Sequence, residues 1–161
     1  MQIALYQPDI PQNAGAIARL CACLGSALHI IEPAGFDASD RNFRRAGMDY
    51  AERANIARHM SWEAFEAWRR ERRARLLLAT TKSAESYLAW RYQPTDILLL
   101  GRESAGVPDH VHAAADARLL IPMAPSLRSL NVALAAAMIL GEGLRQTAGF
   151  AAPLVNDTAP T

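Results

Sequence analysis

Lysine is almost missing from this chain: Lys82 stands alone beside sixteen arginines. Arginine's planar guanidinium is the better fork for phosphate or carboxylate, although a compositional bias of the source leaves the same trace. Cysteine is nearly as scarce. Cys21 and Cys23 lie two apart on an expected helix, which points them to different sides, and no second Cys/His pair completes a zinc site. Both thiols are expected to be buried or half-buried, and no metal is expected. Long apolar runs are also missing, since the stretch from Val132 to Leu140 is too short to span a bilayer. The first residues, Met-Gln-Ile-Ala-Leu-Tyr, lack the basic flank of a secretory signal. A cytoplasmic location without membrane contact is therefore expected.

The usual nucleotide signatures of α/β proteins are absent as well. A first strand runs into Gln7-Pro8-Asp9-Ile10-Pro11, not into a Gly-x-Gly-x-x-Gly turn, and no Gly-x-x-x-x-Gly-Lys-Ser/Thr loop occurs. These gaps argue against a dinucleotide dehydrogenase, an ordinary Rossmann-type methyltransferase and a P-loop NTPase. No Gly-x-Ser-x-Gly or Ser-His-Asp pattern supports a hydrolase. The net charge of +1 points to no polyanionic partner by itself. Its distribution says more: from Arg41 to Arg75 ten arginines face five acids, a local excess that suits an RNA- or phosphate-facing surface.

What is present is an alternation of strands and helices in 161 residues, enough for one domain with a real core. Strands are expected at 2–6, 27–32, 75–80, 96–100 and 118–122. Helices are expected at 13–24, closed by Gly25, after Asp40 (carrying Phe43, Arg44 and Arg45), and after Ser61. In the helix after Ser61, Trp62, Phe65 and Trp68 recur at core-facing spacing, and its Arg69–Arg73 tail reads as a solvated end. A long final helix is expected over 129–146, with Ser129 as its cap. Continuous apolar runs such as Ile97-Leu98-Leu99-Leu100 suit a mainly parallel sheet covered by helices on both faces, an α/β fold. One domain over 1–148 and a loosely ordered tail over 149–161 complete the expectation.

Three segments that follow strands carry the polar chemistry. The first holds Asn13 and Arg19, about one and a half turns apart at a helix start. The second is Gly101-Arg-Glu103-Ser104-Ala-Gly106, whose glycines let backbone approach a ligand closely. The third, Ser126-Leu-Arg128-Ser129-Leu-Asn131, is read as a buried turn offering hydroxyls, a fixed charge and free amides. Loops at the C-terminal ends of parallel strands converge on one crevice.

Order and spacing of these segments resemble the three motifs of the SPOUT methyltransferases, from Gln2 to about Arg145. Ile10-Pro-x-Asn13-x-Gly15, Leu28–Pro33, Arg44–Tyr50 and Thr80-Thr81-Lys82 are similar to its small single-domain branch, the tRNA (cytidine/uridine) wobble ribose 2′-O-methyltransferases. The resemblance implies a deep C-terminal trefoil knot, S-adenosyl-L-methionine as cofactor, and the anticodon stem-loop of tRNA as partner. It also implies a homodimer formed through the knot region and the final helix. The target implied is the ribose of cytidine or modified uridine 34, in tRNA-Leu isoacceptors; methylation of another RNA site, or a non-catalytic binding module, is the alternative. By the same resemblance Arg19 and Asn13 are catalytic, and Ala79, Gly101, Ile121 and Ser129 hold the cofactor. Glu103, Arg128 and Asn131 complete a polar network, with Ser126 nearby. The chain departs from the branch at Arg102, Ala105, Gly141 and Ala14. Loss of an arginine at Ala105 removes a phosphate contact for which Arg102 is the expected substitute.

Overall fold

The computed structural model describes residues 1–37, 39–48, 50–83 and 85–151. The first strand, β1 (Gln2–Tyr6), leads through the Pro8–Pro11 turn into α1 (Pro11–Leu24), where Pro11 occupies the first helical turn and needs no amide partner. Gly25 ends α1 in the left-handed conformation, φ 66°. Next come β2 (Leu28–Ile31) and α2 (Arg41–Gly47), whose Asp40 cap accepts from the amides of Asn42 and Phe43. A short α3 (Tyr50–Arg53), β3 (Ile56–His59) and α4 (Trp62–Glu71) follow, the last capped by Ser61. The chain then forms β4 (Leu76–Ala79), β5 (Ile97–Leu100), α5 (Asp109–Ala114), β6 (Ala117–Leu119) and α6 (Val132–Gln146).

Among the described residues six strands form one parallel sheet in the order β3-β2-β1-β5-β4-β6. Both faces are covered, and the apolar runs divide strictly by parity. Ile3, Leu5, Leu77, Leu98 and Leu100 pack with Ile17, Cys21, Ile139 and Leu140 of α1 and α6. Ala4, Leu76, Leu78, Ile97 and Leu99 pack with Trp62, Phe65 and Val111 of α4 and α5. Each fully buried leucine or isoleucine contributes about 1.5–3 kcal/mol, so two such layers carry the domain without staples.

Several expectations are corrected. The final helix starts at Val132, not Ser129, because the Asn131 side chain accepts from the amides of Ala133 and Leu134 and takes the cap position. The turn before it is exposed from Ala124 to Asn131 rather than buried. Cys21 is buried but Cys23 is exposed. Strand β3 and helices α3 and α5 were not anticipated: β3 is a half-buried edge of four residues containing Arg58 and His59, without an apolar run to mark it. Trp68 is only half-buried, unlike Trp62 and Phe65. The expected tail lies outside the described residues from position 152 onward.

The arginine-rich stretch is also partly structural. Arg69 is buried and clasps Glu66 at 2.6 and 2.8 Å, Ala74 O at 2.8 Å and Asp116 at 3.0 Å, tying α4 to the starts of β4 and β6. Arg75 forks onto the fully buried Asp96 at 2.8 Å through both Nε and Nη2, and Arg58 reaches Glu32 at 2.6 Å. Arg41, Arg45 and Arg53, all exposed on α2 and α3, have no ion-pair partner among the described residues.

After β4 the chain is laced to the exit of β6. The Thr80 amide donates to Leu119 O at 2.9 Å, Ser83 Oγ to Arg118 O at 2.6 Å, and the Leu120 amide to Glu85 O at 2.7 Å. At the far end of α6, Gln146 accepts from the Tyr92 amide at 3.1 Å and donates to Trp90 O at 3.0 Å. These bonds place the β4–β5 connection against both the exit of β6 and the end of α6.

Candidate functional site

The C-terminal ends of β4, β5 and β6 open into a cavity of about 600 Å³. Its apolar floor comes from Leu78, Leu100, Leu119 and Ile139, residues of the sheet and of α6. A site of this size with an apolar floor and a few convergent polar groups is typical for a small organic ligand. Ala79, Gly101, Ile121 and Ser129 all line it, as do Asn13, Glu103 and Asn131. Residues separated by more than a hundred positions in sequence thus share one wall.

The hairpin after β5 forms that wall's framework. The Arg102 amide donates to Gly106 O at 2.9 Å, and the Gly106 amide returns to Arg102 O at 2.8 Å. A Cβ on Gly101 would stand 2.7 Å from the Gly106 carbonyl carbon, so only glycine permits this closure, while Gly106 itself sits at φ 66°. The hairpin aims Glu103 at α1. Glu103 accepts from Asn13 Nδ2 at 3.1 Å and from the Asp9 amide at 3.0 Å. Asn13 Oδ1 in turn accepts from Asn131 Nδ2 at 2.9 Å, so predicted residues from the first turn of α1, the β5 hairpin and the α6 cap form one hydrogen-bonded chain.

A second clasp was not foreseen. Asp9 accepts from Arg102 Nη2 at 2.7 Å and Nε at 3.1 Å, and also from the amide and hydroxyl of Ser104. Arg102 is therefore spent inside the protein and is not available as the substitute phosphate contact at Ala105. No local signal marks Asp9, since its partner lies 93 residues away. The Arg102 fork, then the Ser104 hydroxyl, hold the Asp9 carboxyl at about 2, below its ordinary 3.8. A carboxyl lowered in the fold adds stability that is complete above about 3.8 and lost as pH falls toward 2. Asp9→Asn is accordingly expected to lower the melting temperature at neutral pH, with the gap to the parent narrowing between about pH 4 and pH 2. A gap that stayed constant would show that carboxylate charge is not what holds the loop.

Arg19, Arg128 and Ser126 do not line the cavity. Arg19 is exposed one turn after Gly15 on α1, with Nη1 3.1 Å from Met48 Sδ and its guanidinium 5.3 Å from the Tyr50 ring centre. Gly15 sets this placement: a Cβ there would stand 2.4 Å from Phe43 O, so its absence lets α2 lie directly on α1 and brings Met48 and Tyr50 beside Arg19. Arg128 is exposed in the turn before α6, and Ser126 is exposed at φ 71°. Ile10, Thr81, Lys82 and His112, none of them expected as site residues, also line the wall.

The model of the SpoU rRNA Methylase family matches residues 1–141. A protein of Ancylobacter novellus named tRNA (cytidine(34)-2′-O)-methyltransferase is 62% identical over 151 residues, 94% of this chain and 96% of that protein. A solved structure concerned with the 2-OH methylation of C/U34 on tRNA matches with TM-score 0.86 and 41% identity, covering 90% of this chain and 94% of that one. The methyltransferase AviRb of Streptomyces viridochromogenes, solved in complex with the cofactor AdoMet, matches with TM-score 0.84 and 28% identity over 91% of this chain and 60% of that one.

Proposed function

The chain belongs to the SpoU rRNA Methylase family, and on that premise we propose that it transfers a methyl group from S-adenosyl-L-methionine to the ribose 2′-hydroxyl of nucleotide 34 in tRNA. The observation that carries this reading is the convergence of Asn13, Glu103 and Asn131 on a glycine-closed cavity, in a chain that matches wobble methyltransferases along almost its whole length. No metal enters the reaction scheme.

The residues present fit the cofactor. Leu78, Leu100, Leu119 and Ile121 offer apolar contact to adenine, and the closure at Gly101 leaves backbone groups free to meet ribose and adenine edges. Bound there, the cofactor supplies a methyl carbon on a cationic sulfur. The chemistry it would supply is methylation of the 2′-oxygen, with the hydroxyl proton passing to solvent and S-adenosylhomocysteine left as co-product. The chain's task is to aim that hydroxyl along the reaction line, a matter of position more than of covalent chemistry. Glu103 orders Asn13 through one oxygen and the α1 entry turn through the other. Arg19 offers a planar cationic fork with donors only, which suits a phosphate or hydroxyl oxygen and makes it a poor proton acceptor. We assign it to holding the ribose or its flanking phosphate, not to removing the proton.

Because Arg19 lies outside the cavity of its own chain, a second copy completes the site. Leu134 and Met138, one turn apart on α6, are 60% and 41% exposed, an apolar face suited to a partner helix. Light scattering is expected to give twice the 17.6 kDa chain mass, and Leu134→Glu is expected to shift it to the monomer; a monomeric parent would refute the dimer. Arg41, Arg45 and Arg53 form the anticodon stem-loop contact in this reading, a smaller surface than the whole 41–75 stretch. The trefoil knot, with the β6–α6 segment threaded through the β4–β5 connection, and a cytoplasmic location belong to the same proposal. No helix of the described residues is long and apolar enough to cross a membrane.

The test is methyl transfer from labelled S-adenosylmethionine to tRNA from a strain lacking this gene, with the modified nucleoside mapped by mass spectrometry. A 2′-O-methylated pyrimidine at position 34 is expected. Label confined to another RNA position would overturn the substrate assignment and keep the chemistry.

A further inference from the structure

Of the charged side chains that line the cavity, one has no hydrogen-bond or ion-pair partner among the described residues. Glu103 is held by Asn13 and the Asp9 amide, and Arg102 is pinned by Asp9. Lys82, the single lysine, lines the same cavity, and its ammonium makes no hydrogen bond or ion pair among the described residues. The loop that presents it is built from specific bonds. Thr80 Oγ1 accepts from the Lys82 amide at 3.1 Å, and Ser83 Oγ fastens the next residue to Arg118 O at 2.6 Å. Lys82 is thus carried between two hydroxyl anchors at the C-terminal end of β4, on a long stem with three donors. His112, also in the wall, adds no competing cation near neutral pH, because burial, then Lys82 and Arg118, lower its pKa. An exposed, unpaired lysine in the lining of a cavity with an apolar floor suits a ligand with an aromatic body and one anionic arm.

We propose that Lys82 receives the α-carboxylate of the cofactor's amino-acid arm. The inference rests on the methyl-transfer reading and adds to it the residue that distinguishes the whole cofactor from its nucleoside half. Glu103, the one acid among the lining residues, repels a carboxylate, and Arg102 is already neutralised. Lys82 is left as the cavity's free positive charge. The three-donor ammonium can follow the flexible arm, whereas the adenosine is recognised by backbone and apolar groups elsewhere.

Calorimetric titration with two ligands tests this. S-adenosylhomocysteine carries the carboxylate; 5′-methylthioadenosine lacks the amino-acid arm. Lys82→Met is expected to weaken the first about tenfold, the scale of a charge-assisted bond at a partly exposed site, and to leave the second unchanged. Lys82→Arg is expected to retain most of the affinity for both. Equal loss for the two ligands would show that Lys82 only supports the loop and would overturn the proposal. Unchanged binding of both would overturn it too, and weakened tRNA binding in that case would assign Lys82 to the RNA instead. A parent protein that bound neither nucleoside would sink the methyl-transfer reading itself.

Discussion

Replacing Arg19 by alanine is expected to cut methyl transfer by about 10²–10⁴-fold, the range for a lost positioning or charge-stabilising group. Affinity for S-adenosylhomocysteine should stay within about twofold of the parent, because Arg19 does not line its own chain's cavity. Its present contacts are weak. An exposed cation–π contact such as that with Tyr50 is worth about 0.5–1 kcal/mol. A charge-assisted bond to ribose or phosphate returns about 1.5–3 kcal/mol, so RNA binding is sufficient to draw the guanidinium off Tyr50 and Met48. Arg19→Lys should recover only part of the activity, since an ammonium lacks the planar fork. Single-turnover rates together with calorimetric affinities separate these effects. Full activity in Arg19→Ala would return this residue to an ordinary surface position and favour a different positioning group.

Gly101→Ala is expected to abolish cofactor binding, with affinity falling more than about a hundredfold as the cavity wall is pushed open. The added methyl would meet the Gly106 carbonyl carbon at 2.7 Å and its Cα at 2.8 Å, both backbone atoms that cannot swing aside. The hairpin must open or slide, and it carries Glu103 and Arg102 with it. The Asn13–Glu103 bond and the Asp9–Arg102 clasp are then lost together. Overpacking of this kind costs about 1–3 kcal/mol, less than the stability of a typical domain, so a folded protein without cofactor affinity is the expected outcome. Gly106→Ala provides the contrast. Its Cβ would enter open space, so only the left-handed backbone is penalised and the wall should survive. Thermal melting and titration with S-adenosylhomocysteine check both variants; if Gly101→Ala bound normally, the close hairpin would not be what shapes the site.

Much of the architecture was legible because it is written in local pattern. β1, β2, β4 and β5 announce themselves as apolar runs, and Gly25, Asp40 and Ser61 mark helix ends through their own backbone or side-chain chemistry. The three segments that meet at the cavity were legible for the same reason, each combining a strand end with glycine or clustered polar residues. β3 escaped because an edge strand is buried on one side only, and Ile56-Ala-Arg-His has no run to show. Ser129 was mistaken for the final cap because serine and asparagine compete for that role locally, and the bond between Asn131 and Asn13 that favours the later position spans 118 residues.

By itself, then, the sequence determined five of the six strands, the main helices between them, the parallel sheet and the three segments that bear polar chemistry. Tertiary structure alone decided how those loops spend their charges. Asp9 pairs with Arg102, Glu103 is turned onto Asn13, most of the paired arginines after β3 are absorbed by acids of the fold, and Lys82 lines the cavity without a partner among the described residues. The reason is physical: propensity and capping act over a few residues, whereas an ion pair depends on which loops the sheet order brings within about 3 Å.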